Sequence, residues 1–293
     1  MSTQVTTAFV QQYAANVMML AQQKGSKLRD AVRVENVTGK QAFFDQIGAT
    51  AARRRTSRHS DTPRMDTPHA RRRCSLEDFD WADMIDQEDK VRLLIDPTST
   101  YAKSAANAMG RAMDEVIVDA IRGTAFTGET GSTSVALPAG QKIAAGGTGL
   151  TMAKLIATKK LMDQADIDSD GRYIAVTSSQ LADLLNTTQI TSADFNTVKA
   201  LVQGDVETFL GFNFIRVDGL RIDGTKIVPI ITATDRACVA WQRDQVVLGV
   251  GAQPGARISE RADKNYATQV IYSMSIGAAR LQETGVVEVG CVE

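Results

Sequence analysis

Residues 51–73 read AARRRTSRHSDTPRMDTPHARRR, a stretch that holds Arg53, Arg54, Arg55, Arg58, Arg64, Arg71, Arg72 and Arg73 but only one sizeable apolar side chain, Met65. Dense like charge with so little apolar surface cannot enclose a core, so the stretch predicts a solvated excursion in a lone molecule. An acidic run follows at once, with Glu77, Asp78, Asp80, Asp83, Asp86, Glu88 and Asp89. The adjoining opposite charge suggests what orders the excursion, namely the complementary segment of a neighbouring copy. An arginine run can be a solvated loop, a nucleic-acid contact or a docking element for another protein subunit. Nucleic-acid tails usually sit at a terminus, whereas this basic element is an insertion with patterned sequence on both sides.

The rest of the chain gives that local charge a neutral background. The 293 residues carry 33 basic and 34 acidic side chains, a formal net charge of -1, so nothing global points to DNA or an anionic membrane. Hydrophobic residues at 43% suffice for one large core or two modest ones. Cys74, Cys238 and Cys291 are far apart, odd in number and without a CxxC, which indicates neither a disulfide framework nor a zinc site. No charged leader with an apolar core opens the sequence, and no apolar run approaches the roughly 20 residues that span a bilayer. Cytosolic synthesis is the expectation.

Along the chain, residues 1–31 read as a partly helical arm, with Phe9, Val10, Tyr13, Val17, Met18 and Leu20 ahead of the breaker Gly25-Ser26. Val32, Val34, Val37 and Phe43-Phe44 have strand-like spacing and lead into the arginine-rich tip. The acidic run, with Leu76, Phe79, Trp81, Met84 and Ile85, reads as the return, so residues 32–95 are expected to form a long two-stranded projection. An isolated hairpin is marginal in water, and this one should need partners along its length. Asp96 as a cap and Pro97 at the first helical position start a helix. Tyr101, Ala105, Ala108, Met109, Ala112, Val116, Ile117, Ala120 and Ile121 then recur at three and four residues up to Gly123. That spacing predicts a helix of roughly 25 residues, about 38 Å long. After a glycine-rich connection come a helix over 151–165, a strand over 172–177, a short helix over 179–185 and a strand over 209–217 entered through Gly211. Strand candidates follow at 228–232, 237–241 and 246–250, and a closing sheet starts at Tyr266.

Catalytic constellations fail on physical grounds. GTAFTGET at 123–130 has Glu129 where a phosphate loop needs lysine, and GVGAQPG at 249–255 has Pro254 in place of an amide donor, so it reads as a loop. The only histidines, His59 and His69, lie inside the arginine-rich stretch, where nothing predicts the rigid support a general base requires. Asp163, Asp166, Asp168 and Asp170 lack the glycine and bidentate glutamate of a calcium loop. No catalytic, metal or cofactor-binding residue is expected.

The order of parts resembles the Hong Kong 97-type fold of tailed-phage major capsid proteins over essentially the whole chain. GRYIAVTSSQLADLL at 171–185 is similar to that family's strand and short helix, and GDVETFLGFNFIRVDGL at 204–220 to its glycine-marked turn, strand and loop. The resemblance implies an α+β fold: an N-terminal arm (1–31), an E-loop hairpin (32–95), a peripheral domain with its spine helix (96–167), an axial domain (168–251) and closing peripheral strands (252–293). It further implies assembly as hexamers and pentamers into an icosahedral shell enclosing double-stranded DNA, inside the bacterial host cytoplasm. Scaffolding, portal and possible decoration proteins would be the other partners, with no membrane. Two departures are visible. The chain starts at the arm, so any scaffold is expected to be separate or cleaved, and nothing around Lys40 supports the covalent cross-link of some members. An encapsulin-like compartment is the alternative. A nucleic-acid-binding protein is a weaker one, because no helix-turn-helix, zinc module or stacking platform accompanies the arginines.

Overall fold

The computed structural model describes residues 22–55, 57–58, 64–85, 98–186, 208–232 and 234–293. The Asp96-Pro97 start, Asp86, Glu88, Asp89, His59 and most of the arm lie outside those residues.

The long helix α1 runs Thr98–Arg122 and follows the predicted period: Ala105, Met109, Ala112, Met113, Ile117 and Ile121 are all buried. It stops at Gly123, whose amide donates to the Asp119 carbonyl at 2.7 Å. A Cβ there would stand 2.6 Å from the same oxygen, so the tight end selects glycine. The buried stripe packs on a four-stranded sheet in the order β1 (Arg33–Asn36), β12 (Val246–Arg261), β13 (Ala267–Arg280), β4 (Glu77–Ile85). Leu248, Val250, Met274 and Ile276 come up from that sheet to meet Met109, Met113 and Ile117 in one core.

A six-stranded sheet stands beside it in the order β7 (Lys142–Ile143), β14 (Val286–Val292), β11 (Asp235–Gln242), β8 (Arg172–Val176), β10 (Phe212–Arg216), β9 (Thr208–Phe209). Helix α2, Met152–Gln164, starts where the Thr151 side chain accepts from the Lys154 amide, and it buries Leu155 and Met162 in this sheet's second core. Helix α3, Ser178–Asn186, follows β8. The β9–β10 turn puts Leu210 at φ 53° and Gly211 at φ 85°, so the glycine supplies the entry expected of it. The unit expected over 168–251 is drawn differently by hydrogen bonding. Strands β7 and β14 and helix α2, all outside that range, complete its sheet and core, while position 251 falls inside β12.

The third sheet carries the arginines, in the order β2 (Gln41–Ile47), β3 (His69–Ser75), β5 (Ala125–Thr127), β6 (Thr133–Val135). Here the two-stranded projection departs from expectation, because the strand returning against β2 is the arginine-rich β3. The acidic β4 instead pairs along β13. Its alternation explains why: Phe79 and Trp81 pack on the α1 core and Ile85 is buried on the same face, whereas the β2–β3 ribbon has little apolar surface to offer them. The GVGAQPG stretch is likewise strand and not loop. A Cβ at Gly251 would lie 2.4 Å from Leu76 Cδ1, and one at Gly277 would lie 2.0 Å from the Ser75 carbonyl oxygen. The base of the hairpin therefore crosses β12 and β13 over a floor of glycines. The candidate at 228–232 makes only an isolated bridge, Ile230 to Arg236.

Candidate functional site

Strands β2 and β3 pair in antiparallel register from Gln41 opposite Ser75 to Ile47 opposite His69, and the Gly48 amide closes the ribbon on the Pro68 carbonyl at 2.8 Å. Beyond that closure the chain loops outward, and Arg53, Arg54, Arg55, Arg58 and Arg64 are all exposed. Arg55 Nε donates to the Ser57 carbonyl at 3.1 Å, which holds one guanidinium along the loop.

The three arginines of β3 are used differently. Side chains alternate along a strand, so Arg71 and Arg73 share one face and Arg72 takes the other. Arg71 Nε donates to Asp45 at 2.6 Å and its guanidinium lies 5.4 Å from the Phe43 ring centre. That hydrogen bond holds the Asp45 carboxyl below its ordinary range. Arg73 stacks 4.5 Å from the Phe126 ring centre. Arg72 is buried: its Nε donates to the Leu281 carbonyl at 2.9 Å, and its Nη2 reaches both oxygens of Glu283 at 2.6 and 2.7 Å. Glu283 also lies 3.8 Å from Arg280 Nε. Arg280 in turn donates to the carbonyls of Ile121 and Gly123 at the end of α1 and of Val135 in β6. A continuous polar chain thus ties the hairpin to the end of the long helix.

Of the acidic set, Glu77, Asp78 and Asp80 are exposed on β4 and Asp83 is half-buried. Strand β4 is an edge of its sheet. Asp78 accepts from the Ser275 hydroxyl. Among the described residues, no ion pair joins a loop arginine to a β4 carboxylate, so the two sets lie on separate elements of the subunit.

His69 sits exposed at the start of β3, and among the described residues no group of His, Cys, Asp and Glu could hold a metal ion. The three cysteines are buried, and burial pushes the Cys74 thiol up to about 11, the opposite of an activated nucleophile. Asp163 pairs with Arg172 at 2.6 Å at the turn after α2.

The comparisons agree with the architecture. The phage capsid protein family matches residues 5–293. The chain belongs to that family. No curated protein matches it. Among solved structures, the capsid of the cyanophage P-SCSP1u superposes with a TM-score of 0.71 at 18% identity, covering 97% of this chain and 93% of that one. The capsid of Ralstonia phage GP4 gives 0.72 at 10% identity, with 97% and 95% covered. The head structure of Helicobacter pylori bacteriophage KHP40 gives 0.71 at 10% identity, with 97% and 96% covered. The fold is the Hong Kong 97-type capsid fold, α+β, and the chain is a structural capsid protein.

One feature of this capsid protein escapes a reading by pattern. Asp114, buried midway along α1, accepts from the Ser26 hydroxyl, the amides of Lys27 and Leu28, and the Gln23 side chain. Burial pushes its carboxyl up, against the opposing pull of those donors. Four residues earlier, a Cβ on Gly110 would stand 2.2 Å from the Gly25 backbone. Gly110 and Asp114 together form the seat for the end of the arm. A glycine inside an otherwise strong helix, one turn from a carboxylate on the same face, was the available signal.

Proposed function

We propose that this protein is the major capsid protein of a tailed phage and that its copies assemble as hexamers and pentamers into a closed icosahedral shell around double-stranded DNA. The observation that carries this reading is the β2–β3 hairpin, a ribbon held to the body through β5, Leu281 and Glu283, whose loop beyond Gly48 presents five exposed arginines. Its function as an E-loop is to lie across a neighbouring subunit, where Arg53, Arg54, Arg55, Arg58 and Arg64 meet carboxylates such as Glu77, Asp78 and Asp80 of β4. Each exposed pair contributes at most about 1 kcal/mol and is screened by salt, so the stability of the shell comes from repetition.

In the same reading the first sheet with α1 is the peripheral domain, and the six-stranded sheet with α2 and α3 is the axial domain, whose loops gather at the capsomer centre. A scaffold, a portal and possible decoration proteins complete the set of partners, and assembly takes place in the host cytoplasm. The test is expression of the full chain, alone and with its scaffold, followed by sedimentation and negative-stain microscopy. Closed particles or capsomers are expected. A monodisperse compact monomer under both conditions refutes the reading. An encapsulin-like shell is not favoured, since the matching family is a phage capsid family.

A further inference from the structure

We infer that the two uncovered edges of the first sheet join head to tail, β12 of one copy beside β4 of the next, so that residues 255–261 and 80–85 continue the sheet from subunit to subunit. The sheet is four strands wide only at its base. Strand β1 pairs with Val247 to Val250 and stops at Asn36, so beyond it β12 is the outermost strand from Gly255 to Arg261. The opposite edge is β4, and across β13 its stretch from Asp80 to Ile85 stands level with 255–261. Gly255 and Asp80 both pair with Ser273, and Arg257 and Ala82 both pair with Ile271. Among the described residues no strand pairs with either edge there. An edge with free amides and carbonyls, and with Ile258 56% exposed on it, is a template for another strand.

Charge selects which strand that is. Residues two apart share a face, so Arg257 and Ser259 stand on the same side of the sheet as Asp80, Ala82 and Met84, the side away from Phe79, Trp81 and the α1 core. Arg261, on that side too, spends its charge on Asp263 at 2.7 Å. Arg257 and Asp80 are both exposed, and among the described residues neither side chain has an ion-pair or hydrogen-bond partner. One edge therefore carries an unmet cation and the other an unmet anion, on one face. Two β12 edges or two β4 edges would set like charges together on that face, whereas β12 against β4 sets Arg257 near Asp80. Both strands run antiparallel to β13 and so parallel to each other, which lets a copy in the same orientation add its β4 without turning over. A contact between two different surfaces repeats from copy to copy and closes a ring where the rotation permits, not a pair. It takes Asp80 and the strand beyond, leaves Glu77 and Asp78 to the loop arginines, and rests on the shell reading only for bringing copies side by side.

The test uses the full chain, expressed with its scaffold, and reads disulfides in the resulting particles on non-reducing gels. Ser259→Cys and Ala82→Cys are placed together in one chain. Neighbouring strands lie about 4.8 Å apart, so with β13 between them the two thiols of one chain are about 10 Å apart and out of each other's reach. Mild oxidation should therefore give a ladder of covalent multimers, and neither single variant should give a ladder. Particles without a ladder overturn the edge contact and leave the shell reading standing. Where the cysteine pair itself prevents assembly, charge decides: Arg257→Glu should lower particle yield about fivefold, the effect of one exposed pair, and adding Asp80→Arg should restore it. Unchanged yield in the first variant, or no recovery in the second, then overturns the contact. Failure of the unaltered chain to form particles or capsomers refutes the shell reading, and the edge contact with it.

Discussion

Arg280 and Arg53 carry the same guanidinium to opposite ends of the molecule's design. Arg280 is fully buried and spends its donors on the carbonyls of Ile121, Gly123 and Val135, whereas Arg53 stands exposed on the hairpin loop. In the interior the charge is bound by geometry: the guanidinium meets carbonyls that would otherwise be left without a donor, so the side chain is part of the subunit's own fold. On the loop the charge is unspent, and its interaction energy is available to another molecule. Arg72 is the hinge between the two uses, since it belongs to the hairpin strand yet spends its charge on Glu283 and the Leu281 carbonyl. The paired strands are therefore fixed to the subunit's own body while the described loop arginines stand exposed, which suits an element that reaches a neighbour from a fixed direction.

Removing the interior arginine should break this contrast most visibly. Arg280→Met keeps the stem but strands the carbonyls at the end of α1 and in β6, and about 3 kcal/mol of subunit stability should be lost. Urea denaturation of dissociated subunits measures it. A loss below about 1 kcal/mol would mean that water replaces the guanidinium and that the interior arginine is not a structural part.

The glycine floor under the hairpin root comes next. Gly277→Ala places a methyl 2.0 Å from the Ser75 carbonyl oxygen, so the hairpin base must lift off β13. A cost of about 2 kcal/mol is expected from that overpacking. Gly140→Ala meets no heavy atom within 4 Å and serves as the control, with no measurable change in midpoint. If both variants melt alike, the close crossing at Ser75 is not what fixes the hairpin's direction.

The same two regions show what was legible in the sequence. The core of α1 was readable because its periodicity is local: Ala105, Met109, Ala112 and Ile117 announce a helix without knowledge of what they touch. The glycines of GVGAQPG were misread as a loop for the complementary reason. Gly249 and Gly251 face Cys74 and Leu76, some 175 residues away in sequence, and a strand made smooth for another segment's passage looks from inside like a strand broken. The return strand was misplaced because charge was allowed to outrank alternation. Phe79, Trp81 and Ile85 on one side of an acidic strand demand a large core, and the hairpin reaches only the small cluster of Phe44 and Cys74 with Val247, Ala279 and Leu281. Pairing of β14 with β11 is a contact of high sequence separation that no local pattern encodes. Of the arginine cluster, the five loop residues lie exposed as the composition suggested, whereas the burial of Arg72 depends on Glu283, which carries no signal of its own.

A smaller effect is expected where a carboxylate ties down interior charge near the surface. Burial opposes ionisation of Glu293, but hydrogen bonds from Arg236, Lys226 and Ser179 outweigh it and hold the carboxyl down at about 2. A folded value below the ordinary 4.5 means that the contribution is fully present above that pH. It is then lost as pH falls toward 2, because the unfolded chain takes up the proton first. Thermal midpoints of the unaltered chain should therefore fall across this window. Glu293→Gln, which cannot titrate, should start lower and show a shallower fall. Parallel curves for the two proteins would show that Arg236 and Lys226 do not depend on this partner.

The least effect on the subunit itself should come from the loop, and that is what gives the last variant its force. Reversing Arg53, Arg54 and Arg55 to Glu changes the formal charge of an exposed loop by six without touching a buried group, so subunit stability should shift by no more than about 0.5 kcal/mol. Assembly is another matter. If the tip docks on carboxylates of a neighbour, the reversal replaces attraction by repulsion at every copy of the contact, and particle yield should collapse while the dissociated subunit still melts normally. If the arginines instead meet DNA, empty shells should form at the usual yield and only their nucleic-acid content should drop. Scoring particle number and DNA content separately distinguishes the two. A third result, full yield with full DNA content, would place the loop arginines outside both roles and return the run to an ordinary solvated loop.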